Sequence, residues 1–594
     1  KMKTIMSLLL LSFMAVSSYG AQINKSAFSG KNFWYIDQID RVEIITDLYK
    51  QTKAEYALWE VKKKRIGVDG DKIFNEAIEA EKAIADVDDA LSQSRSNMEF
   101  YDRARKLIAN FQDTHFGLST HIAPPWIVSG FNTKLVEDSG KVIFASKYSK
   151  VIEKSVIETQ NYYLNKIELG DELISVDGVK VSDAIDALIP YIDASSPAFA
   201  KSRAAAMLIE RYFLYPTKPY FDIEFKSAKT KETHKVRLPL YYSGDTSIVR
   251  KKDISFYLDQ KGFLKLKELR FKWDNQNRTF VKDTSLKVET LPEGLPAGAI
   301  ELENWTSANG GGSPIVRSAL ILKEAKAYAY MQVNSFSVST VYFKGEKLSF
   351  IEALRKNVKF FKAQNLNLIL DIRNNGGGNG GYPAQLLSML TEQGQSYPNA
   401  TWASAVTRYM RQLIEYYGVE EIFKDIDGSD WTMQSDAFFE AASEGRMLSR
   451  ATQNYDITAD PQVGGFDGKI VALVSPNCIS ACDITSILLQ GSKRAKLIGT
   501  HANGTGAGYR SNDVYNTQFK DRYNVFSTQI PNMLFGYGVQ GHQFGDLLGI
   551  DSAYELNSEN VPVQADVNYV ETKEDLTNYM SGWIEKAIEV LNAE

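Results

Sequence analysis

Hydrophobic and polar positions divide the chain into a helical, a β-rich and an α/β part. In residues 37–56 and 71–111, apolar residues recur at helical spacing among many Glu, Lys and Ala residues. This pattern is typical of amphipathic helices that turn one face to a core. It predicts a small helical N-terminal domain over residues 22–121.

Short apolar stretches bounded by turn residues replace the helical spacing in residues 122–241. Strands are predicted at residues 141–145, 173–176, 220–225 and 234–240. With a helix predicted over residues 182–191, this pattern indicates a β-rich second domain. Residues 242–320 are more polar and predict a β-rich linker or insertion. Their glycine run lacks the Lys-Ser/Thr of a phosphate loop, so no chemistry is expected there.

Buried strands alternate with helices from residue 321 to residue 594, which is typical of a parallel sheet. The strands are predicted at residues 328–333, 366–372, 470–474 and 495–499, and the helices at residues 349–363, 383–390 and 574–591. Residues 395–465 interrupt this alternation and contain several aromatic residues. We expect this insertion to be a candidate lid over a site.

One strand of this part leads into a turn that contains Ser480. Residues 470–474 are continuously apolar, Ser475, Pro476 and Asn477 end the strand, and helical spacing returns after Ser480. A serine in such a turn projects from the sheet edge, where backbone N–H groups of a helix start can hold an oxyanion. Taken alone, the stretch favours a simple helix N-cap, because serine is a preferred cap residue.

Composition narrows the possible partners and cofactors. The chain of 594 residues is 44% hydrophobic and 24% charged, with a net charge of −5. This mild acidity gives no reason to expect nucleic acid or an anionic membrane as a partner.

The two cysteines, Cys478 and Cys482, flank Ser480. They either pair in an oxidising compartment or remain buried thiols, and no metal site is expected around them.

The N-terminus has the pattern of a secretory signal peptide. Lys1 and Lys3 precede an apolar run at residues 5–16, and small or polar residues follow. The run is too short to span a bilayer, and no later stretch approaches the ~20 apolar residues of a membrane helix. We expect cleavage of residues 1–21 and a soluble protein that is periplasmic or secreted. The oligomeric state stays open.

The β-rich part contains a segment that resembles a PDZ domain. A Gly170-Asp171 turn, an alternating strand and an Asp177-Gly178 turn follow one another. The resemblance implies binding of extended C-terminal peptides by strand addition, with residues 130–131 as the candidate carboxylate loop. A purely structural role for the module is the alternative.

Five segments in this order resemble the C-terminal processing, or tail-specific, serine peptidases. They are residues 113–115, the PDZ-like turn at 170–171, residues 371–378, residues 476–483 and residues 559–566. The resemblance covers nearly the whole mature chain. It implies a multidomain α/β protein with a ClpP/crotonase-like core that hydrolyses peptide bonds of proteins or their C-terminal tails without a cofactor.

The resemblance also assigns roles to single residues, with Ser480 as the nucleophile. Thr505 stands where the better-known branch has its catalytic lysine, so the chain is more similar to the tricorn-like branch. In that branch a histidine is the general base, which here is His115, one of five histidines. Glu559, directly or through Thr114, would orient the imidazole and stabilise its charged form.

The oxyanion hole would be formed by backbone N–H groups. The resemblance assigns the N–H of Ala481 and one from Gly376 or Gly377 to this role. Two other interpretations remain open from the sequence. One is a non-catalytic relative that binds peptides or another ligand, and the other is a Ser–Lys enzyme that uses Lys493 or Lys496.

Overall fold

The computed structural model describes most of the chain between residues 35 and 593. The described residues are 35–120, 126–148, 166–211, 217–243, 257–258, 260–262, 264–265, 272–274, 279–281, 288–290, 295–309, 312–423, 432–453, 456–509, 518–520, 525–539 and 551–593. The predicted signal peptide lies outside them. Within these residues, no helix has the length and apolar character needed to cross a bilayer. The same residues contain no cluster of His, Cys, Asp and Glu suited to a metal ion.

Helices form the N-terminal part, as the apolar spacing predicts. They are Gln38–Glu55, Trp59–Ile66, Gly70–Ala83 and Ala90–Ala109. Asp37, Asp69 and Asp89 each accept a backbone N–H at a helix start, which satisfies an otherwise unpaired amide. Apolar residues of the helices share one core with Phe526 and Leu534 from the C-terminal part. The helical region therefore packs directly on that part.

Antiparallel strands form most of the second part. Its main sheet consists of Phe131–Val136, Lys141–Tyr148, Glu172–Val176, Val179–Lys180, Tyr220–Lys226, Thr233–Pro239 and Val288–Thr290. Gly170 and Gly178 have φ angles of 85° and 79°, a region that glycine enters without a Cβ penalty. They turn the chain at both ends of Glu172–Val176, and the helix Val181–Leu188 follows.

The helix Pro197–Ala206 has no counterpart in the sequence prediction. It is rich in alanine, so its apolar spacing is weak. Two local features start it: proline occupies the first position, and the Ser196 side chain accepts the N–H of Phe199. Ser195, just before this helix, is also buried and takes part in the site described below.

A nine-stranded sheet forms the described α/β core. In spatial order its strands are Glu346–Ser349, Thr340–Phe343, Ile300–Thr306, Pro314–Lys323, Lys326–Val333, Leu368–Asp371, Ile470–Val474, Lys496–Gly499 and Val567–Asn568. Neighbours from Lys326–Val333 onward are parallel. The sheet begins before the predicted boundary at residue 321, because Ile300–Thr306 and Pro314–Lys323 extend it by antiparallel pairing.

Two central strands explain the position of the candidate site. Every residue of Leu368–Asp371 and Ile470–Val474 is buried, which accounts for their continuous apolar sequences. Because parallel strands end at the same sheet edge, the segments that follow them lie side by side. The first strand leads into the glycine loop, defined as residues 374–381, and the second leads to Ser480.

Helices cover both faces of the core sheet. One face packs against Phe350–Ala363, Tyr382–Leu390 and Ala481–Gly491. The other face packs against the C-terminal helix Ser581–Ala593. The single helix predicted at residues 574–591 is divided, and its first turns form a separate helix, Lys573–Thr577. Tyr579 and Met580 have φ angles of 49° and 61°, which no right-handed helix accommodates.

The insertion at residues 395–465 contacts the glycine loop. Its described helices are Arg408–Tyr417, Val419–Phe423 and Thr432–Ser443, which share a small core of their own. Trp402, on the strand Thr401–Ser404, lies against Gly380, since a Cβ added there would be 3.2 Å from the indole. The insertion therefore reaches the edge of the sheet at which Ser480 lies.

Candidate active site

Ser480 occupies a sharp turn between the strand Ile470–Val474 and the helix Ala481–Gly491. Its φ of 61° and ψ of −116° are costly for a residue with a Cβ. Its N–H donates to Asp483 Oδ2 at 2.8 Å, and Gly504 N–H donates to Asp483 Oδ1 at 2.8 Å. Burial raises the pKa of the Asp483 carboxyl well above its usual range. This carboxyl ties the serine turn to the turn that contains Gly504.

A disulfide bond encloses the same turn. Cys478 and Cys482 are bonded to each other, and both side chains are fully buried. This is one of the two states that the sequence left open. Because a cross-link restricts the chain it closes, the bond limits the conformations available to Ser480.

The glycine loop packs directly on Ser480. Gly377 has a φ of 85°, and a Cβ added to it would lie 2.5 Å from the Ile479 carbonyl oxygen and 2.8 Å from Ser480 Cβ. Ile479 N–H also donates to the Asn375 carbonyl at 3.0 Å. Only glycine permits both this backbone conformation and this approach.

The backbone N–H groups predicted as oxyanion donors differ in whether they are free to bind an oxyanion. A Cβ on Gly377 would lie 3.1 Å from the Ala481 nitrogen, so these two residues are in contact. The N–H of Gly377 already donates to Asn375 Oδ1 at 2.8 Å. Gly376 is exposed, and its added Cβ would meet no atom within 4 Å. Ala481 and Gly376 are therefore better placed as donors than Gly377.

His115 is held by hydrogen bonds of its backbone and by one aromatic contact of its ring. Its N–H donates to Asp113 Oδ1 at 2.8 Å, and Asp113 also accepts the Tyr56 hydroxyl at 2.8 Å. Tyr509 donates to the His115 carbonyl and packs edge-on against the imidazole, with ring centroids 5.2 Å apart. In the described part of the chain, His115 Nδ1 is buried without a hydrogen-bond partner.

Burial lowers the pKa of His115 to about 4, and the negative charge of Glu559 acts in the opposite direction. Burial disfavours the charged imidazolium. The imidazole is therefore neutral near pH 7, which is the form that accepts a proton.

Glu559 is fully buried and surrounded by donors. Its Oε1 accepts from Lys62 Nζ at 2.6 Å and from Ser195 Oγ at 2.9 Å. Its Oε2 accepts from the N–H groups of Gly506 at 2.7 Å and Ala507 at 3.2 Å. Burial, followed by Asp113, raises the pKa of Glu559, whereas Lys62 and the Gly506 N–H lower it.

Thr114 connects to Glu559 through one further residue, Ser195. Thr114 N–H donates to Ser195 Oγ at 3.1 Å, and Ser195 N–H donates to Thr114 Oγ1 at 3.0 Å. The Ser195 hydroxyl in turn donates to Glu559. The sequence prediction of a link through Thr114 did not include this intermediate serine.

Asn503 joins the histidine turn to the turn that precedes Ser480. Its Oδ1 accepts from Thr114 Oγ1 at 3.1 Å and from Thr505 Oγ1 at 2.7 Å. Its Nδ2 donates to the Pro476 carbonyl at 2.8 Å, and its N–H donates to the Cys478 carbonyl at 2.9 Å. Thr505 thus contributes to this junction in place of a lysine.

The structure brings some predicted site residues together and leaves others apart. Ser480, Ala481 and Gly377 are in contact. Within the described residues, however, the His115 ring makes no hydrogen bond to Ser480 Oγ or to Glu559. The catalytic roles of these groups stay predictions. Lys493 and Lys496 are exposed near the end of the helix remote from Ser480, so the geometry does not favour a Ser–Lys pair.

Comparisons with known proteins relate the region around this site to a peptidase family. Residues 327–520 match peptidase family S41. The fold resembles mature CPAF, with a TM-score of 0.66, 17% identity and coverage of 94% of this chain and 98% of that chain. Mature CPAF complexed with lactacystin gives a TM-score of 0.66, 16% identity and coverage of 94% and 99%. A photosystem II D1 C-terminal processing protease gives a TM-score of 0.34 and 13% identity, with coverage of 90% of this chain and 97% of that chain.

A search of curated protein sequences gave no match. The family match contains both the glycine loop and Ser480, and the likeness to CPAF extends the shared fold over the helical, β-rich and α/β parts. The predicted fold class and the predicted resemblance to serine peptidases are confirmed. Residues 327–520 therefore match peptidase family S41, and a serine peptidase is the activity that this match supports.

Proposed function

We propose that the chain is an exported endopeptidase that cleaves proteins or their C-terminal tails through an acyl-enzyme on Ser480. The observation that carries the proposal is the strained Ser480 turn at the sheet edge, with Gly377 packed against it. Ser480 Oγ attacks the peptide carbonyl carbon, and the C–N bond breaks as the amine leaves with a proton. Water then hydrolyses the ester and releases the acid.

His115 is the proposed general base. As a neutral imidazole it takes the proton of the Ser480 hydroxyl and returns it to the leaving amine. The carboxylate of Glu559 stabilises the imidazolium that forms in this step. Catalytic hydrogen bonds often tighten only when substrate is bound, and His115 Nδ1 has no competing partner within the described residues.

The N–H groups of Ala481 and Gly376 are the proposed oxyanion donors. Gly377 supports them by its close approach, because its own N–H is bound to Asn375. Each donor of this kind typically contributes ~100-fold or more to the rate.

The other parts have proposed roles in substrate handling. The PDZ resemblance supports binding of peptide tails by the β-rich domain. Within the candidate carboxylate loop, residues 130–131, Phe131 N–H donates to Ser129 Oγ at 3.3 Å, so this one N–H is less available to a peptide carboxylate. The contact of Trp402 with the glycine loop supports a lid role for residues 395–465.

The sequence of residues 1–21 supports export, and a disulfide bond is typical of an oxidising compartment.

Labelling and cleavage test the proposal together. Purified full-length chain is incubated with unfolded casein, with peptides ending in apolar residues, and with a fluorophosphonate probe. We expect cleavage of casein or peptide, and peptide mass spectrometry should place the probe on Ser480. A chain that is folded but neither cleaves these substrates nor reacts with the probe would contradict the proposal.

The lowered pKa of His115 predicts an unusual pH profile. A general base is active when neutral, so a pKa of about 4 extends activity to more acid pH than the ordinary histidine value of ~6.5. We expect the acid limb of kcat/KM near pH 4, measured between pH 3.5 and 8 on a neutral peptide substrate. A limb near pH 6.5 in a chain that remains folded would rule out a buried neutral His115 as the base.

A further inference from the structure

The helix Trp59–Ile66 contains consecutive lysines in very different environments. Lys62 is fully buried, whereas Lys63 and Lys64 are exposed. Removing an ammonium group from water is costly unless the charge is paired and hydrogen-bonded. The surroundings of Lys62 must therefore compensate for its burial.

The Lys62 side chain reaches from the N-terminal helical domain to residues of the candidate active site. Its Nζ donates to Glu559 Oε1 at 2.6 Å, to Asn560 Oδ1 at 2.7 Å and to the Gln112 carbonyl at 3.0 Å. Neither charged side chain of the Lys62–Glu559 pair is accessible to solvent. The three donor positions of the ammonium group are thus all used.

Glu559 and its neighbour Asn560 hold the segment that precedes His115. Ser195 Oγ bridges Glu559 and Thr114, which immediately precedes His115. Asn560 Nδ2 donates to the Gln112 carbonyl at 2.8 Å and to the Ser195 carbonyl at 2.9 Å. A displaced Glu559 or Asn560 would therefore loosen the histidine turn.

We infer that Lys62 is a positioning residue of the peptidase site, which holds Glu559 as a carboxylate and, with Ser195, fixes the turn that carries His115. The inference rests on the proposed function, because it assigns Lys62 a part in activating Ser480. It makes the helix Trp59–Ile66, in addition to the turn with His115, a component of the active site. Lys62 itself contacts neither Ser480 nor the substrate in this mechanism.

Substitution of Lys62 should change the pH dependence as well as the rate. The titratable groups that face Glu559 are Lys62, Arg65, Tyr56, Asp113, His115 and Asp483. Loss of the ammonium charge leaves the carboxyl buried beside Asp113 and raises its pKa. In Lys62→Met we therefore expect fluorophosphonate labelling of Ser480 to slow by about 100-fold at pH 7. We also expect the acid limb of labelling to move to higher pH.

Two matched controls separate positioning from general stability. Lys64→Met, an exposed neighbour, should label at the wild-type rate. Arg41, a second fully buried cation of the N-terminal helical domain, pairs with Glu81 at 3.2 Å instead of with Glu559. Arg41→Met should lower the melting temperature but keep the wild-type pH profile. Lys62→Gln, which keeps a donor but no charge, replaces Lys62→Met if that variant does not fold.

The outcomes distinguish the two proposals. If wild-type chain is not labelled at all, the proposed function fails and this inference fails with it. If wild-type chain is labelled but folded Lys62→Met or Lys62→Gln shows the same rate and the same acid limb, the inference alone is overturned. A slower rate with an unchanged acid limb also overturns it, because loss of fold stability would explain that result.

Discussion

Replacement of Ser480 by alanine is expected to abolish peptide-bond hydrolysis, with kcat falling by at least about 10⁴-fold. The change removes one oxygen atom at the sheet edge and leaves the buried strand and the Asp483 contact in place, since that contact uses the Ser480 N–H. Without the hydroxyl no acyl-enzyme forms. The measurement is single-turnover and steady-state cleavage of casein and a peptide, together with the melting temperature.

Ser492→Ala is the matched control for this variant. Ser492 lies at the other end of the same helix, where its hydroxyl donates to the Leu489 carbonyl at 3.2 Å. We expect near wild-type cleavage from it. If Ser480→Ala retained more than a small fraction of wild-type cleavage in a preparation free of other peptidases, Ser480 would not be the nucleophile.

Replacement of Gly377 by alanine should be nearly as damaging, although it changes no reacting group. The new Cβ would lie 2.5 Å from the Ile479 carbonyl oxygen and 2.8 Å from Ser480 Cβ. Backbone atoms cannot move aside as a flexible side chain does, so the Ser480 turn has to shift. Because a displacement of about 1 Å can cost 10²-fold in rate, we expect kcat to fall by about 100-fold or more.

A second glycine separates the steric effect from backbone strain. Gly394 has a φ of 81°, similar to the 85° of Gly377, but an added Cβ there meets no atom within 4 Å. Gly394→Ala should therefore lose stability by about 1–2 kcal/mol from the left-handed conformation alone and keep its kcat. Equal losses of kcat in the two variants would show that contact with Ser480 is not the cause.

Local sequence patterns predict the framework of the site well. The continuous apolar runs at Leu368–Asp371 and Ile470–Val474 specify buried strands, and the glycines and serine that follow them specify the sheet edge. The N-terminal helices follow from their apolar spacing. The division of the C-terminal helix was missed because Tyr579 and Met580 are not typical left-handed residues.

The hydrogen-bond partners of Glu559 are distant in the sequence, and local sequence patterns do not predict such pairs. Lys62 and Ser195 are separated from it by 497 and 364 residues. Lys62 does follow Leu58 by one helical turn, and both side chains are buried. A lysine on the apolar face of a helix was therefore a usable signal. Neither Ser195 nor Asn503 gives a comparable signal, because serine and asparagine are ordinary turn residues.

The wide separation of Lys62 and Glu559 has a consequence for biosynthesis. During translation Ser480 is made before Glu559, the carboxylate partner of Lys62. Glu559 lies 79 residues after Ser480. The charged pair can form only after residue 559 has been made. If Lys62 has the proposed positioning role, full activity would therefore be acquired only after Glu559 has been synthesised.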